Sequence, residues 1–92
     1  MIVKYGRRAE AIVTDTYIED ITGADDGAPV VLYYVDYAFT YKSVRQFGTF
    51  YLDDKVLADQ ISVWDKVPIK FVAFDPTQND VRMRSLLKVL KK

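Results

Sequence analysis

The sequence lacks two residue types on which most reaction centres and metal sites depend. It contains no cysteine and no histidine. Without cysteine there is no disulfide, no cysteine-ligated cluster and no thiol nucleophile. Without histidine the commonest general base and the commonest metal ligand are also missing. We therefore predict that the protein is not an enzyme, and we predict no catalytic residue, metal ligand or cofactor.

Glycine and long apolar runs are scarce as well. Gly6, Gly23, Gly27 and Gly48 are too scattered to form a phosphate-binding loop. No apolar run approaches the roughly 20 residues that a membrane-spanning helix needs. At the amino terminus, charge follows the short apolar piece at residues 1–3, whereas in a signal peptide it comes first. A cytoplasmic location is the default expectation.

The 92 residues that are present predict one folded domain over residues 1–92. Half are hydrophobic, and seven tyrosines, five phenylalanines and one tryptophan make the chain too apolar for disorder. The formal net charge is zero, but residues 9–41 hold no lysine or arginine and residues 81–92 hold no acid. We expect the core at about residues 6–84, with residues 85–92 as a basic amphipathic tail.

Period-two alternation predicts most of the strands. The first is expected at residues 8–18, with Ala9, Ala11, Val13 and Tyr17 on one face. The strongest signal spans residues 30–41, and it predicts a core of alternating apolar residues: Val31, Tyr33, Val35, Tyr37 and Phe39. Residues 44–52 form the returning strand after a tight turn at residues 41–43, and Gly48 within it indicates a bulge or a close approach.

The second half of the chain predicts shorter elements. Acids, glycines and a proline at residues 19–29 indicate a loop. Asp53 is a candidate cap for a short helix that ends near residue 60. A strand apolar on both faces is expected at residues 66–75 with Pro68 at its start, then a turn at 75–80 and a short strand at 81–84. Residues 85–92 are either a short helix or a frayed tail.

These elements predict a mainly β fold. About five strands with one short helix before the fourth, followed by either a short helix or a frayed tail, fit a small barrel or sandwich of the OB or SH3 kind. The alternation pattern does not determine which strands pair, so the sequence is compatible with either a barrel or a sandwich.

The order of motifs resembles the small β domain called domain of unknown function three-five-nine-two. The resemblance covers roughly residues 6–84. It lies in Gly6 followed by Ala9, Ala11 and Val13, in the aromatic strand at residues 33–39, and in the run at residues 72–76 followed by Asn79. This chain departs from the family where Asp65 and Lys66 stand in place of the usual glycine, and it lacks the transmembrane helices found beside many members. The resemblance implies a fold and no activity.

Acidic clusters offer little chemistry. Asp20, Asp25 and Asp26 lack the alternating spacing of a calcium loop. Asp53 and Asp54 precede the predicted helix, where acids complement the helix dipole, so a catalytic pair is not expected. No serine lies in a Gly-x-Ser-x-Gly turn.

Aromatic and basic residues in the middle of the chain are the more interesting group. If they share one outward face, they form a stacking platform of the kind that binds single-stranded nucleic acid, and otherwise they belong to the core. The candidate interaction surface consists of Tyr34, Lys42, Arg45, Phe47, Tyr51 and Trp64.

The sequence thus favours a non-catalytic module that binds a protein partner, with the acidic region and the basic end steering association. An OB-like binder of single-stranded nucleic acid is the alternative. Peripheral attachment to an anionic membrane through residues 82–92 is a second alternative. The identity of the partner and the formation of homo-oligomers are left open.

Overall fold

The computed structural model describes residues 6–22 and 29–90 of the chain. The sheet has five antiparallel strands in the order β3-β2-β1-β4-β5, and it curls until β5 nearly meets β3. The predicted mainly β fold is therefore confirmed, as a nearly closed barrel. Its elements are β1 (Arg7–Thr22), β2 (Pro29–Tyr41), β3 (Val44–Leu52), α1 (Lys55–Ala58), β4 (Lys66–Val72), β5 (Asp75–Val81) and α2 (Met83–Val89).

Strand β1 is longer than predicted and serves two partners. Its first half pairs with β4, from Arg7 opposite Phe71 to Ile12 opposite Lys66. Its second half pairs with β2 as far as residue 22, so part of the predicted loop at 19–29 is strand. Residues 23–28 lie outside the described residues. This double pairing makes β1 the central strand of the sheet.

A β-bulge in β1 overturns one predicted face. The register shifts between Val13 and Asp15, so that one extra residue lies on β1. Because side chains alternate with a period of two, an extra residue moves every later side chain to the opposite face. Ala11 and Val13 are fully buried, whereas Tyr17 is 43% exposed on the other side. The prediction that Tyr17 shares their face is wrong.

Strands β2 and β3 form the predicted hairpin. Tyr41 pairs with Val44 across a two-residue turn, and Lys42 and Ser43 have φ of 51° and 65°. Positive φ at both positions is the pattern of a type I′ turn, which suits the twist of a hairpin. Of the predicted core residues, Val35, Tyr37 and Phe39 are buried, whereas Val31 and Tyr33 are half-buried.

The carboxyl-terminal third corrects three predictions. Residues 75–80, predicted as a turn, form β5, because the chain already reverses at Ala73 and Phe74. The strand predicted at 81–84 is replaced by α2, which begins at Met83. The strand predicted at residues 66–75 ends at Val72, and Pro68 lies near its start as predicted. The polar side chains of β5 are tolerated because they lie on the last strand of the sheet, where solvent is accessible.

Both helices pack against the barrel core. The cap of α1 is Asp54 and not the predicted Asp53, and its Oδ1 accepts a hydrogen bond from the Val56 N–H at 2.9 Å. Residues from the carboxyl-terminal segment also contribute to the core, because Leu86 of α2 is buried against it and Met83 and Leu90 pack beside it.

Gly48 lies where the barrel closes. The buried Tyr37 pairs with Gly48 and donates its hydroxyl hydrogen to Asn79 Oδ1 at 2.6 Å. Asn79 Nδ2 in turn donates to the carbonyl of Phe47 at 3.2 Å, which links β5 to β3. A Cβ at Gly48 would overlap both the Tyr37 ring and the Asn79 amide. The predicted close approach is therefore real, it is made by side chains, and the β2–β3 ladder contains no bulge.

Candidate binding surface

Three tyrosines form a continuous row across the outer face of the sheet. Tyr17 of β1 lies opposite Tyr34 of β2, and Tyr34 lies opposite Tyr51 of β3. The rings of Tyr17 and Tyr34 stack at a centroid distance of 5.2 Å with an interplanar angle of 11°, and Tyr34 and Tyr51 are 5.9 Å apart. Tyr17 and Tyr51 are exposed, at 43% and 56%, and Tyr34 between them is less exposed. We call these three residues the tyrosine row.

Carboxylates lie next to the tyrosine row on the same face. The adjacent cross-strand row consists of Asp15, Asp36 and Thr49, and the Thr49 hydroxyl donates to Asp36 at 2.7 Å. Partial burial raises the pKa of Tyr17, and the negative charges of Asp36 and, more weakly, Glu19 and Asp15 raise it further. The Tyr17 hydroxyl therefore lies in a negative local field.

Phe47 and Arg45 occupy the other end of the same face of β3. Phe47 pairs with Ala38 and is 65% exposed. The Arg45 guanidinium lies over the Phe47 ring, 5.7 Å from its centroid. Phe47 is four residues from Tyr51, about 13 Å along the strand. The outer face is thus acidic around the tyrosine row and basic at the Arg45 end.

The remaining two predicted surface residues lie in turns. Lys42 is in the β2–β3 turn, with its ammonium 5.5 Å from the centroid of Tyr41. Trp64 is in the turn at residues 62–65, with a φ of 80° and 80% of its side chain exposed. The ring contacts of the described residues do not connect Trp64 to the tyrosine row. The structure therefore places Tyr34, Tyr51, Phe47 and Arg45 on one outer face, with Phe47 and Arg45 at the end away from the tyrosines. Lys42 lies in the turn that follows β2, and Trp64 lies in a separate turn.

A cavity of about 550 Å³ opens beside the tyrosine row, along the gap between β3 and β5. Tyr51 belongs to both features. Apolar side chains from β3, α1 and α2 line the interior, including Leu52, Leu57 and Leu87. Asp53, Asp54 and Asp80 supply its charged groups, and none of the described residues that line it is basic. We call it the seam cavity.

Sequence reasoning missed Tyr17 and the seam cavity. The bulge that turns Tyr17 outward has no glycine to mark it. The seam cavity is built from β3, α1, β5 and α2, whose proximity depends on closure of the barrel. The alternation of residues 44–52 did place Tyr51 and Phe47 on one face, but it did not show that this face was the outer one.

Other kinds of site have little support in the structure. Within residues 6–22 and 29–90, no three carboxylates come together as a metal-binding group. Asp25 and Asp26 of the acidic loop lie outside the described residues. No helix in the described part of the chain is long and apolar enough to span a membrane.

Comparison of the chain with protein-family models, with curated proteins and with solved structures finds no match. The function is therefore inferred from the geometry and charge of the outer face of the sheet.

Proposed function

We propose that the protein is a non-catalytic binding module that takes up a positively charged, extended segment of a partner protein. The observation that carries this proposal is the tyrosine row with carboxylates beside it. Tyrosine faces attract Lys and Arg cations through the ring quadrupole, and exposed rings are typical of protein interfaces. Asp15, Asp36 and Glu19 add a negative field of the sign that such a partner requires.

The seam cavity supports the same partner. It continues the surface beyond Tyr51, and its volume of about 550 Å³ is in the range of ligand-binding cavities. An apolar interior with carboxylates around it suits a lysine or arginine side chain, whose methylene stem is apolar and whose end is charged. A basic side chain of the bound segment is therefore expected to enter this cavity while neighbouring side chains cover the tyrosines.

A nucleic-acid-binding role is the second candidate, and the fold favours it in one respect. The strand order, with α1 between β3 and β4, resembles an OB fold, in which the face of strands 2 and 3 binds single strands. The exposed Phe47 with Arg45 beside it also fits base stacking. Against this, Asp15 and Asp36 border the tyrosine row, where they would repel phosphates.

Peripheral membrane attachment has less support. An interfacial helix needs its apolar residues free to enter the lipid. Leu86 of α2 is buried in the barrel core, so the segment would have to detach before it could insert. The resemblance to domain of unknown function three-five-nine-two stays a prediction, and it names no partner.

Amide and tyrosine-ring NMR shifts measured during titration test the proposal. The probes are a decapeptide of alternating lysine and glycine, its glutamate counterpart and a twelve-nucleotide oligothymidine, all at low salt. We expect saturable shifts at Tyr17, Tyr34 and Tyr51 with the lysine peptide only, weakened as salt is added. Shifts with oligothymidine instead would favour the OB-like alternative. Absence of shifts with both the lysine peptide and oligothymidine would refute both the protein-binding proposal and the OB-like alternative.

Two variants locate the binding surface. Asp36→Asn removes one charge beside the tyrosine row and keeps an acceptor for Thr49. We expect it to weaken lysine-peptide binding about threefold to tenfold, which corresponds to roughly 0.7–1.4 kcal/mol. Glu10→Gln is the matched control, because it also removes one negative charge from an exposed position of β1, opposite Pro68 and away from the tyrosine row. Equal weakening by both variants would contradict the proposed location.

A further inference from the structure

A further concave site lies where β1, β4 and α2 meet. Its volume is about 310 Å³. Among the described residues that line it, four are cations and none is an acid: Arg8, Lys70, Arg82 and Arg84, with Met83 and Ser85 beside them. It shares Met83 with the seam cavity, and none of the three tyrosines of the tyrosine row lines it. We refer to it as the basic cavity.

The fold places the cations of the basic cavity close together. Arg8 and Lys70 are directly opposite each other on neighbouring antiparallel strands. The Arg82 N–H donates to the Pro68 carbonyl at 2.8 Å, which holds Arg82 at the carboxyl end of β5 beside β4. Three separate elements thus direct positive charge into one concavity, and this concentration of charge attracts an anion.

The neighbouring acids limit the size of that anion. Lys70 is flanked on the β5 side by Asp80, and Glu10 lies two residues beyond Arg8 on the same face of β1. A nucleic-acid strand or an anionic membrane would have to pass these carboxylates, whereas a compact anion would not. We infer that the basic cavity binds a small phosphate-bearing anion, held by the guanidinium groups of Arg8, Arg82 and Arg84. Arginine suits this task because its planar donors match phosphate oxygens in pairs.

Calorimetry and NMR with pyrophosphate as the probe test the inference on the full chain. We expect saturable binding, with shifts of the arginine side-chain Nε–H signals of Arg8 and Arg84. Arg8→Gln and Arg84→Gln should each weaken binding about tenfold, because each removes a charge-assisted hydrogen bond. Both positions are exposed, so both variants are expected to fold.

Lys66→Gln is the matched control, because Lys66 is an exposed cation of β4 that does not line the basic cavity. It should bind pyrophosphate like the natural sequence. Equal losses in all three variants, or absence of saturation at millimolar pyrophosphate, would overturn the inference. Sedimentation with phosphatidylglycerol vesicles separates a free anion from a lipid headgroup. We expect the protein not to cosediment with the vesicles. If it does, and if Arg84→Gln abolishes this binding, the ligand of the basic cavity is a lipid headgroup and not a free anion.

Discussion

Replacement of Gly48 by alanine tests how the barrel closes. The methyl group would overlap the Tyr37 ring and the Asn79 amide, both of which are held by neighbouring elements. Overpacking of a filled core costs about 1–3 kcal/mol, and loss of the Tyr37–Asn79 hydrogen bond adds about 1 kcal/mol. We expect a loss of about 3 kcal/mol in the free energy of unfolding. For a domain of this size that lowers the melting temperature by about 12–24 °C.

The direction of the stability change distinguishes steric overlap at Gly48 from the ordinary effect of replacing glycine by alanine in a strand. Gly48 does not need the left-handed region of the backbone, since its φ lies outside it. In a strand without the steric conflict, glycine to alanine stabilises by about 0.5–1 kcal/mol. Gly6→Ala is the control, because a Cβ there meets nothing within 4 Å. Chemical and thermal denaturation of both variants should show a large loss for Gly48→Ala only. An unchanged or more stable Gly48→Ala would refute the closure described here.

Three further predictions concern turns and caps. Trp64→Gly should raise the free energy of unfolding by about 0.5–1 kcal/mol relative to Trp64→Ala in urea denaturation, because only glycine avoids the cost of positive φ; equal stability would contradict this. Asp54→Ala should lower it by up to about 1 kcal/mol through loss of the α1 cap, and an unchanged urea midpoint would be the contrary result. Hydrogen bonds from Thr77 and Gln78 hold the pKa of Asp75 below its ordinary value of 3.8. Its contribution to stability is therefore present above the unfolded-state pKa and lost as pH falls through the folded one; carboxyl NMR titration should show the low pKa, and Gln78→Ala should raise it.

The fold was predictable where local pattern and burial agree. The alternation in residues 30–41 identified β2, because that strand is buried on one face and its apolar and polar residues alternate without interruption. β5 was not predictable, because its polar composition is that of a turn. It forms a strand through pairing with β4, with Val72 opposite Asp75, and through the hydrogen bond of Asn79 to Phe47 on β3. The hydrogen bond to β3 depends on closure of the barrel, which the sequence pattern does not reveal.

The candidate surface was predictable in part for a related reason. The spacing of Tyr51 and Phe47 predicts that their side chains share one face of a strand, but their exposure on the outer face was not predictable. Their neighbourhood depends on register, which brings Tyr17 from a strand more than 30 residues earlier. A single bulge decided whether Tyr17 pointed inward or outward. Charge near the rings also depends on this register, so the acidic character of the surface could not be derived from net charge, which is zero.

The double pairing of β1 has a consequence for the order of folding. Its second half pairs with β2, the next strand along the chain, and β2 in turn pairs with β3, the strand after it. Its first half pairs with β4, and this pairing joins Arg7 to Phe71, which is 64 residues later in the chain. Closing that longer loop costs more chain entropy and slows the step. The three-strand meander that carries the tyrosine row is therefore expected to form first, and β4, β5 and α2 to dock onto it later.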